Sequence, residues 1–243
     1  MWMIFTGVLP LYDWYWRVTA GGVENIPTTG PAVLAANHSG AVPVDGALLK
    51  IATLKEHGRN PWMLAGDLVF RVPQVGSFVR RMGNARADPG ETAGLLKDGN
   101  LLAVFPEGYG GIGKGWANRY RLERFGRGGF VKMALRAGAP LVPVAIVGAE
   151  QIYPMIANAR PLAKALGLPY FPITPTFPLL GALGLVPLPA KCHVEFGTPI
   201  PTVDYEPEAA DDTGLVGELT ERVRGTVRAM LDARVGQQSR GGP

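Results

Sequence analysis

Residues Val33 to Asp45 read VLAANHSGAVPVD, and the fold follows from how this stretch is interpreted. Val33 to Ala36 is a short apolar run, the pattern of a strand buried on both faces. Asn37-His38 stops it, and a turn containing Gly40 and Pro43 brings in Asp45. A histidine at a strand exit can meet substrate while the turn carries an acid towards it; the plainer alternative is a histidine capped by a neighbour. Leu101 to Gly108, LLAVFPEG, is a second apolar run ending in an acid and a glycine. Together the two stretches read as one active site. Between them, Gly46 to Gly58 has helical apolar spacing at Leu48, Leu49, Ala52 and Leu54, with Gly58 placed to end the helix, and Trp62 to Ala65 reads as a short strand. Alternating strands and helices predict an α/β fold: a single domain with a mixed, mostly parallel central sheet flanked by helices.

A chain of 243 residues with 47% hydrophobic side chains can bury one sizeable core. The net charge of +4 favours an anionic partner: nucleic acid, anionic lipid headgroups or a phosphate-bearing substrate. Cys192 is the only cysteine, which excludes an intramolecular disulfide, and three histidines without clustered cysteines give a zinc site little support.

Met1 to Trp16 is apolar and aromatic but broken by Pro10 and Asp13, too short for the roughly 20 apolar residues that span a bilayer. It lacks a basic start and a cleavage site, so it does not read as a signal peptide. Trp2, Phe5, Tyr12, Trp14, Tyr15 and Trp16 suit the headgroup level of a membrane, against the alternative of a helix docked on the chain's own core. Ala165 to Ala190 carries no charge over 26 residues, but its six prolines argue against a spanning helix and leave a hydrophobic surface loop or the wall of an acyl pocket. His193 to Ile200 alternates like an edge strand, with His193 on the surface. Leu215, Leu219, Val223, Val227 and Leu231 mark an amphipathic terminal helix. The expected organisation is an aromatic membrane-contacting segment at 1–20, one domain at 21–235 and a frayed tail at 236–243.

Gly108 to Lys114 spells both GxGxxG and GxxxxGK. A P-loop needs Ser or Thr after its lysine, whereas Gly115 follows here, and Gly115-Trp116-Ala117-Asn118 is a poor helix start. Nucleotide binding is therefore set aside, and a mobile glycine loop that admits an acyl chain is kept. Lys114 to Lys132 is the densest basic stretch, with Trp116, Tyr120 and Phe125 interleaved. That mixture can bind RNA, but no RNA-binding signature accompanies it, and phosphate of a lipid or a coenzyme is the better fit.

Asn37-His38 with Asp45, then Phe105-Pro106-Glu107-Gly108, then Val142-Pro143-Val144-Ala145-Ile146 resemble, in order and approximate spacing, three motifs of the glycerolipid acyltransferases, which include the lysophosphatidate acyltransferases. The likeness covers roughly Val23 to Pro201, and six residues separate His38 from Asp45, a longer interval than the family's usual one. It implies transfer of an acyl group from a thioester of coenzyme A or acyl carrier protein, a co-substrate rather than a cofactor, to a glycerolipid hydroxyl on a lysophosphatidate-type acceptor. His38 would be the general base and Asp45 its orienting partner, with backbone N–H groups near Gly108 or the His38 turn as oxyanion donors. Glu107 and Gly108 would bind substrate, Glu107 by positioning acceptor hydroxyls. Arg86 is the nearest substitute for the arginine the family carries near Asp88-Pro89. Arg127 matches the family's basic-glycine segment, and Lys114 is a further phosphate candidate. No GxSxG occurs, which argues against a serine hydrolase. Tyr109-Gly110, where a Thr-Arg pair commonly follows, keeps a mono- or diacylglycerol acceptor open, and the longer turn keeps open a catalytically silent lipid-binding protein. The resemblance and the apolar segments together imply a peripheral protein on the cytoplasmic face of a membrane, with no nucleic-acid partner.

Overall fold

The computed structural model describes residues 7–66, 70 and 73–240. Trp2, Phe5 and Arg71 lie outside them. A seven-stranded sheet has strand order β1-β9-β6-β2-β5-β3-β4, formed by Thr19–Gly21 (β1), Ala32–Ala36 (β2), Trp62–Ala65 (β3), Asn84–Arg86 (β4), Leu101–Val104 (β5), Leu141–Val147 (β6) and His193–Phe196 (β9); Ala157–Asn158 (β7) and Pro172–Ile173 (β8) pair separately. Only the β6–β9 pairing in the large sheet is antiparallel. The sheet is therefore mixed and mostly parallel, as expected.

The apolar runs become the three central strands because both faces are covered, so every residue of β2, β5 and β6 is buried. Alternation sends Leu34, Ala36 and Ile146 to one core, where Tyr12, Trp16, Leu48 and Leu49 meet them. Val33, Ala35 and Val147 enter the other, under helices Gly129–Ala137 (residues Phe130, Val131, Ala134 and Leu135) and Thr213–Arg240. In the latter, Leu219, Val223, Val227 and Leu231 are buried at a spacing of four.

Helix Val44–Ala52 (α1) follows β2 and runs through a π turn at Thr53–His57 to Gly58, whose φ of 85° ends it. Helix Pro89–Lys97 is capped by Asp88, whose Oδ1 accepts the N–H groups of Gly90 and Glu91.

Several expectations change. The edge-strand reading of His193 fails because β1, parallel to β9, covers that side. His193 is buried between the Thr19 hydroxyl and the Glu195 carboxylate, both 2.7 Å away, and burial lowers its pKa. Thr19–Gly21 belongs to the sheet, across the segment boundary expected at residue 20, and the last helix runs on to Arg240 through the start of the expected tail. Tyr12 and Trp16 are core residues, whereas Trp14 is 81% exposed. The described N-terminal aromatics thus divide between core and surface.

Candidate active site

Because β2, β5 and β6 are parallel neighbours, their C-terminal ends lie on one edge of the sheet, the usual place for a site in an α/β fold. Asn37-His38 leaves β2 there, Phe105-Pro106-Glu107 leaves β5, and Gly148-Ala149-Glu150 leaves β6. Asn37 stitches two of these exits together: its Nδ2 donates to the Ile146 carbonyl at 3.0 Å and its Oδ1 accepts the Ile146 N–H at 2.7 Å. The amide suits this site because a buried backbone donor and acceptor must both be paired.

The longer turn still closes the pair. His38 Nδ1 lies 2.6 Å from Asp45 Oδ2. Asp45 is buried in the first turn of α1, where the helix dipole favours an anion, and it accepts the N–H of Ser39 at 2.8 Å and of Gly46 at 2.9 Å. A carboxylate thus fixed accepts the proton of Nδ1, which leaves Nε2 free to take one. The ring is stacked on Phe105 with centroids 4.3 Å apart.

Glu107 is bonded on both carboxylate oxygens within the protein. Its Oε1 accepts the His38 N–H at 2.7 Å; its Oε2 accepts the Glu123 N–H at 2.7 Å and the Lys114 ammonium at 2.9 Å. The carboxylate side chain is 0% exposed and that of Lys114 only 8%. Glu107 therefore clamps the His38 backbone, and Lys114, which also donates to the Arg121 carbonyl, is paired with it. The glycine loop is packed as well. A Cβ on Gly111 would stand 2.5 Å from His38 Cβ and 2.8 Å from Glu107 Cβ, so only glycine lets the loop close over both residues. The nearby N–H groups are also occupied: His38 by Glu107, Ser39 by Asp45, and Gly108 by the Phe105 carbonyl. These three do not form the expected oxyanion hole.

His38 lines a cavity of about 1240 Å³ whose wall includes Gly108 and the apolar side chains Met63, Leu64, Val79, Met82 and Phe130. This exceeds the roughly 300–1,000 Å³ typical of small-ligand pockets and gives room for a long hydrocarbon chain. Lys50 reaches this wall, donating to the Pro61 carbonyl at 2.5 Å, and burial lowers its pKa to about 8.

Arg86 is not among the described residues that line this cavity, and its guanidinium lies over the Phe70 ring, 5.5 Å from the centroid. Arg80 lies over the same ring and pairs with Glu91. Arg127 is exposed two residues beyond Phe125, which lines the cavity. Sequence reasoning missed Glu150, a buried acid whose pKa burial raises to about 7. Its signal was available, since it follows β6 as Glu107 follows β5. Among the described residues, no group of three or more His, Cys, Asp or Glu side chains is arranged to hold a metal ion.

Residues 17–147 match the sequence model of the family described as Acyltransferase, and residues 117–213 match that of Diacylglycerol acyltransferase. An uncharacterized protein of Mycobacterium tuberculosis is 51% identical over 221 residues, covering 90% of this chain and 62% of that protein. A DGAT1/2-independent enzyme synthesizing storage lipids from Gallus gallus is 27% identical over 230 residues, covering 91% of this chain and 62% of its own. The chain thus spans about 62% of the length of these relatives. The crystal structure of the 1-acyl-sn-glycerophosphate acyltransferase PlsC from Thermotoga maritima shares the fold, with a TM-score of 0.57 at 18% identity over 95% of this chain and 81% of that one. The Acyltransferase match takes in β1 to β6 with His38, Asp45 and Glu107, more than half of the sequence, and on that ground the chain belongs to the acyltransferase family.

Proposed function

We propose that the chain moves a fatty acyl group from an acyl thioester to a glycerolipid hydroxyl, with His38 as general base. The observation that carries this reading is the buried His38–Asp45 pair on the wall of a large apolar cavity. Nε2 takes the hydroxyl proton as the oxygen attacks the thioester carbonyl, and Asp45 stabilises the imidazolium. Collapse of the tetrahedral oxyanion breaks the C–S bond, and the imidazolium returns its proton to the departing thiolate. The thioester is already activated, so no covalent acyl-enzyme is required. The donor is a thioester of coenzyme A or acyl carrier protein.

A lysophosphatidate-type acceptor is supported by Arg127, an exposed cation two residues along the chain from the cavity-lining Phe125. A charge-assisted bond to phosphate is worth roughly 1.5 to 3 kcal/mol, so Arg127→Ala raises the KM of the phosphate-bearing substrate about ten- to a hundredfold, and lysine restores only part of it. A mono- or diacylglycerol acceptor is supported by the diversion of Lys114, Arg80 and Arg86 to partners within the protein and by the storage-lipid activity named for the Gallus gallus relative. A panel of phosphorylated and neutral acceptors, assayed with labelled acyl-CoA on the wild type and Arg127→Ala, separates the two. Failure to acylate any glycerolipid in the panel refutes the reading.

In this reading the acceptor is drawn from a bilayer. Leu179 (84% exposed), Leu183, Leu185 and Val186 project from the loop before β9. That loop is tied to the segment Leu11–Tyr15 and its neighbour by Tyr15 Oη donating to the Pro187 carbonyl at 2.8 Å and by Trp16 Nε1 donating to the Leu188 carbonyl at 3.3 Å, and Trp14 in that segment is exposed. Exposed apolar side chains of this kind suit peripheral attachment to the cytoplasmic face of a membrane. No helix among the described residues is long and apolar enough to cross one. Leu179→Asp with Leu183→Asp is expected to release the protein from lipid vesicles in a flotation assay; undiminished binding refutes this docking face.

A further inference from the structure

The cavity that His38 lines reaches both faces of the sheet. Met63 and Leu64 are neighbours in β3 and point to opposite cores, yet both line it. The helices around it divide in the same way. α1 joins β2 to β3 and helix Pro73–Arg81 joins β3 to β4, two steps in one direction across the sheet, whereas helices Pro89–Lys97 and Gly129–Ala137 step back, from β4 to β5 and from β5 to β6. Crossovers between parallel strands are right-handed, so the first two helices cover one face and the last two cover the other.

Each face therefore holds its own arm of the cavity. The first arm runs between Gly46, Ala47 and Lys50 of α1 and Val79 and Met82 at the end of helix Pro73–Arg81. Lys50 forms its floor: the ammonium donates to the Pro61 carbonyl at 2.5 Å and reaches the Gly83 carbonyl at 3.5 Å, just ahead of β3 and β4. The second arm runs between Ala93 of helix Pro89–Lys97 and Phe130, Met133 and Ala137 of helix Gly129–Ala137, whose 9 residues extend about 13 Å. The arms meet past the ends of β3 and β5. There a Cβ on Gly66 would lie 3.1 Å from Tyr109 Oη, so Tyr109 spans the gap between the two strand exits, and Phe105, stacked on His38, lines the junction.

A linear chain that starts at the junction can enter only one arm, because β3 stands between them. Transfer brings two such chains to His38: the donor's acyl group and the hydrocarbon that the acceptor already carries. We propose that each chain has its own arm. The donor's acyl chain lies under α1, where a Cβ on Gly46 would meet the Phe105 ring at 3.7 Å. The acceptor's chain lies under helix Gly129–Ala137, in the arm that opens at Phe125, two residues from exposed Arg127. The acceptor is then a glycerolipid recognised by a chain it already carries and not by its headgroup alone. This rests on the acyl-transfer reading above.

Val79→Trp fills the first arm and Ala93→Trp the second; Val79 is half-buried and Ala93 exposed, so neither change repacks a core. Kinetics are measured with palmitoyl- and octanoyl-CoA as donors, and with lysophosphatidates and monoacylglycerols of the same two chain lengths as acceptors. Displacing two methylenes from an apolar wall costs roughly tenfold in affinity. Val79→Trp is expected to raise the KM of palmitoyl-CoA about tenfold and that of the palmitoyl acceptor less than about threefold. Ala93→Trp should do the reverse, and the octanoyl substrates should respond less to both. If either variant fails to fold, Ala47→Phe and Ala137→Phe fill the same arms. Both variants acting on one substrate, a filled arm without effect, or the two effects exchanged overturns the proposal. A wild type that acylates no glycerolipid refutes the transfer reading and the arms with it, whereas an active wild type whose variants lack this split refutes the arms alone.

Discussion

Replacing Glu107 with alanine is expected to destabilise the fold by about 3 to 5 kcal/mol, the usual cost of breaking a buried ion pair from one side. The change strands the Lys114 ammonium, 8% exposed as a side chain, with only the Arg121 carbonyl among its described partners. It also removes the acceptor from the N–H groups of His38 and Glu123, each of which carries its own desolvation cost when buried unpaired. Urea unfolding of wild type and Glu107→Ala measures the loss, and Glu107→Gln should recover part of it by restoring an acceptor. An alanine variant with an unchanged midpoint would mean that the clamp contributes nothing. Turnover should fall with stability, because the clamp holds the backbone from which the His38 ring projects.

The central fold could be read from the sequence because three strands buried on both faces leave continuous apolar runs. Ala32 to Ala36, Leu101 to Val104 and Leu141 to Val147 each carry that pattern, and a parallel arrangement places their exits together. His38, Asp45 and Glu107 were recognisable for the same reason. The direction in which each polar group points was not. Lys114 stands in a basic run that reads as solvated or phosphate-binding, and only the folded glycine loop brings it onto Glu107. Arg86 looks available as a phosphate ligand until the fold sets its guanidinium over the Phe70 ring, where Arg80 lies too. His193 follows the alternation of a half-exposed strand, but alternation does not report that a three-residue strand from the N-terminal end will cover it. The aromatic cluster before residue 17 has no period that separates Tyr12 and Trp16, inside, from Trp14, outside.

The roles of Asp45 and Glu107 converge on a single imidazole. Asp45 fixes its Nδ1, Glu107 its backbone N–H, Phe105 its ring plane, and Gly111 lets the loop close behind it. Such preorganisation would suit the proposed proton transfer, since a base must be held in hydrogen-bonding reach of the hydroxyl it activates. The most direct measurement is therefore the rate of acyl transfer from labelled acyl-CoA to a glycerolipid acceptor by purified, folded His38→Ala beside wild type. Loss of a general base lowers kcat by roughly a hundred- to ten-thousandfold, while circular dichroism should still show a folded protein, with melting lowered because the buried Asp45 keeps only the Ser39 and Gly46 N–H groups and Phe105 loses the ring stacked on it. A folded His38→Ala protein that turns over at the wild-type rate would contradict the account.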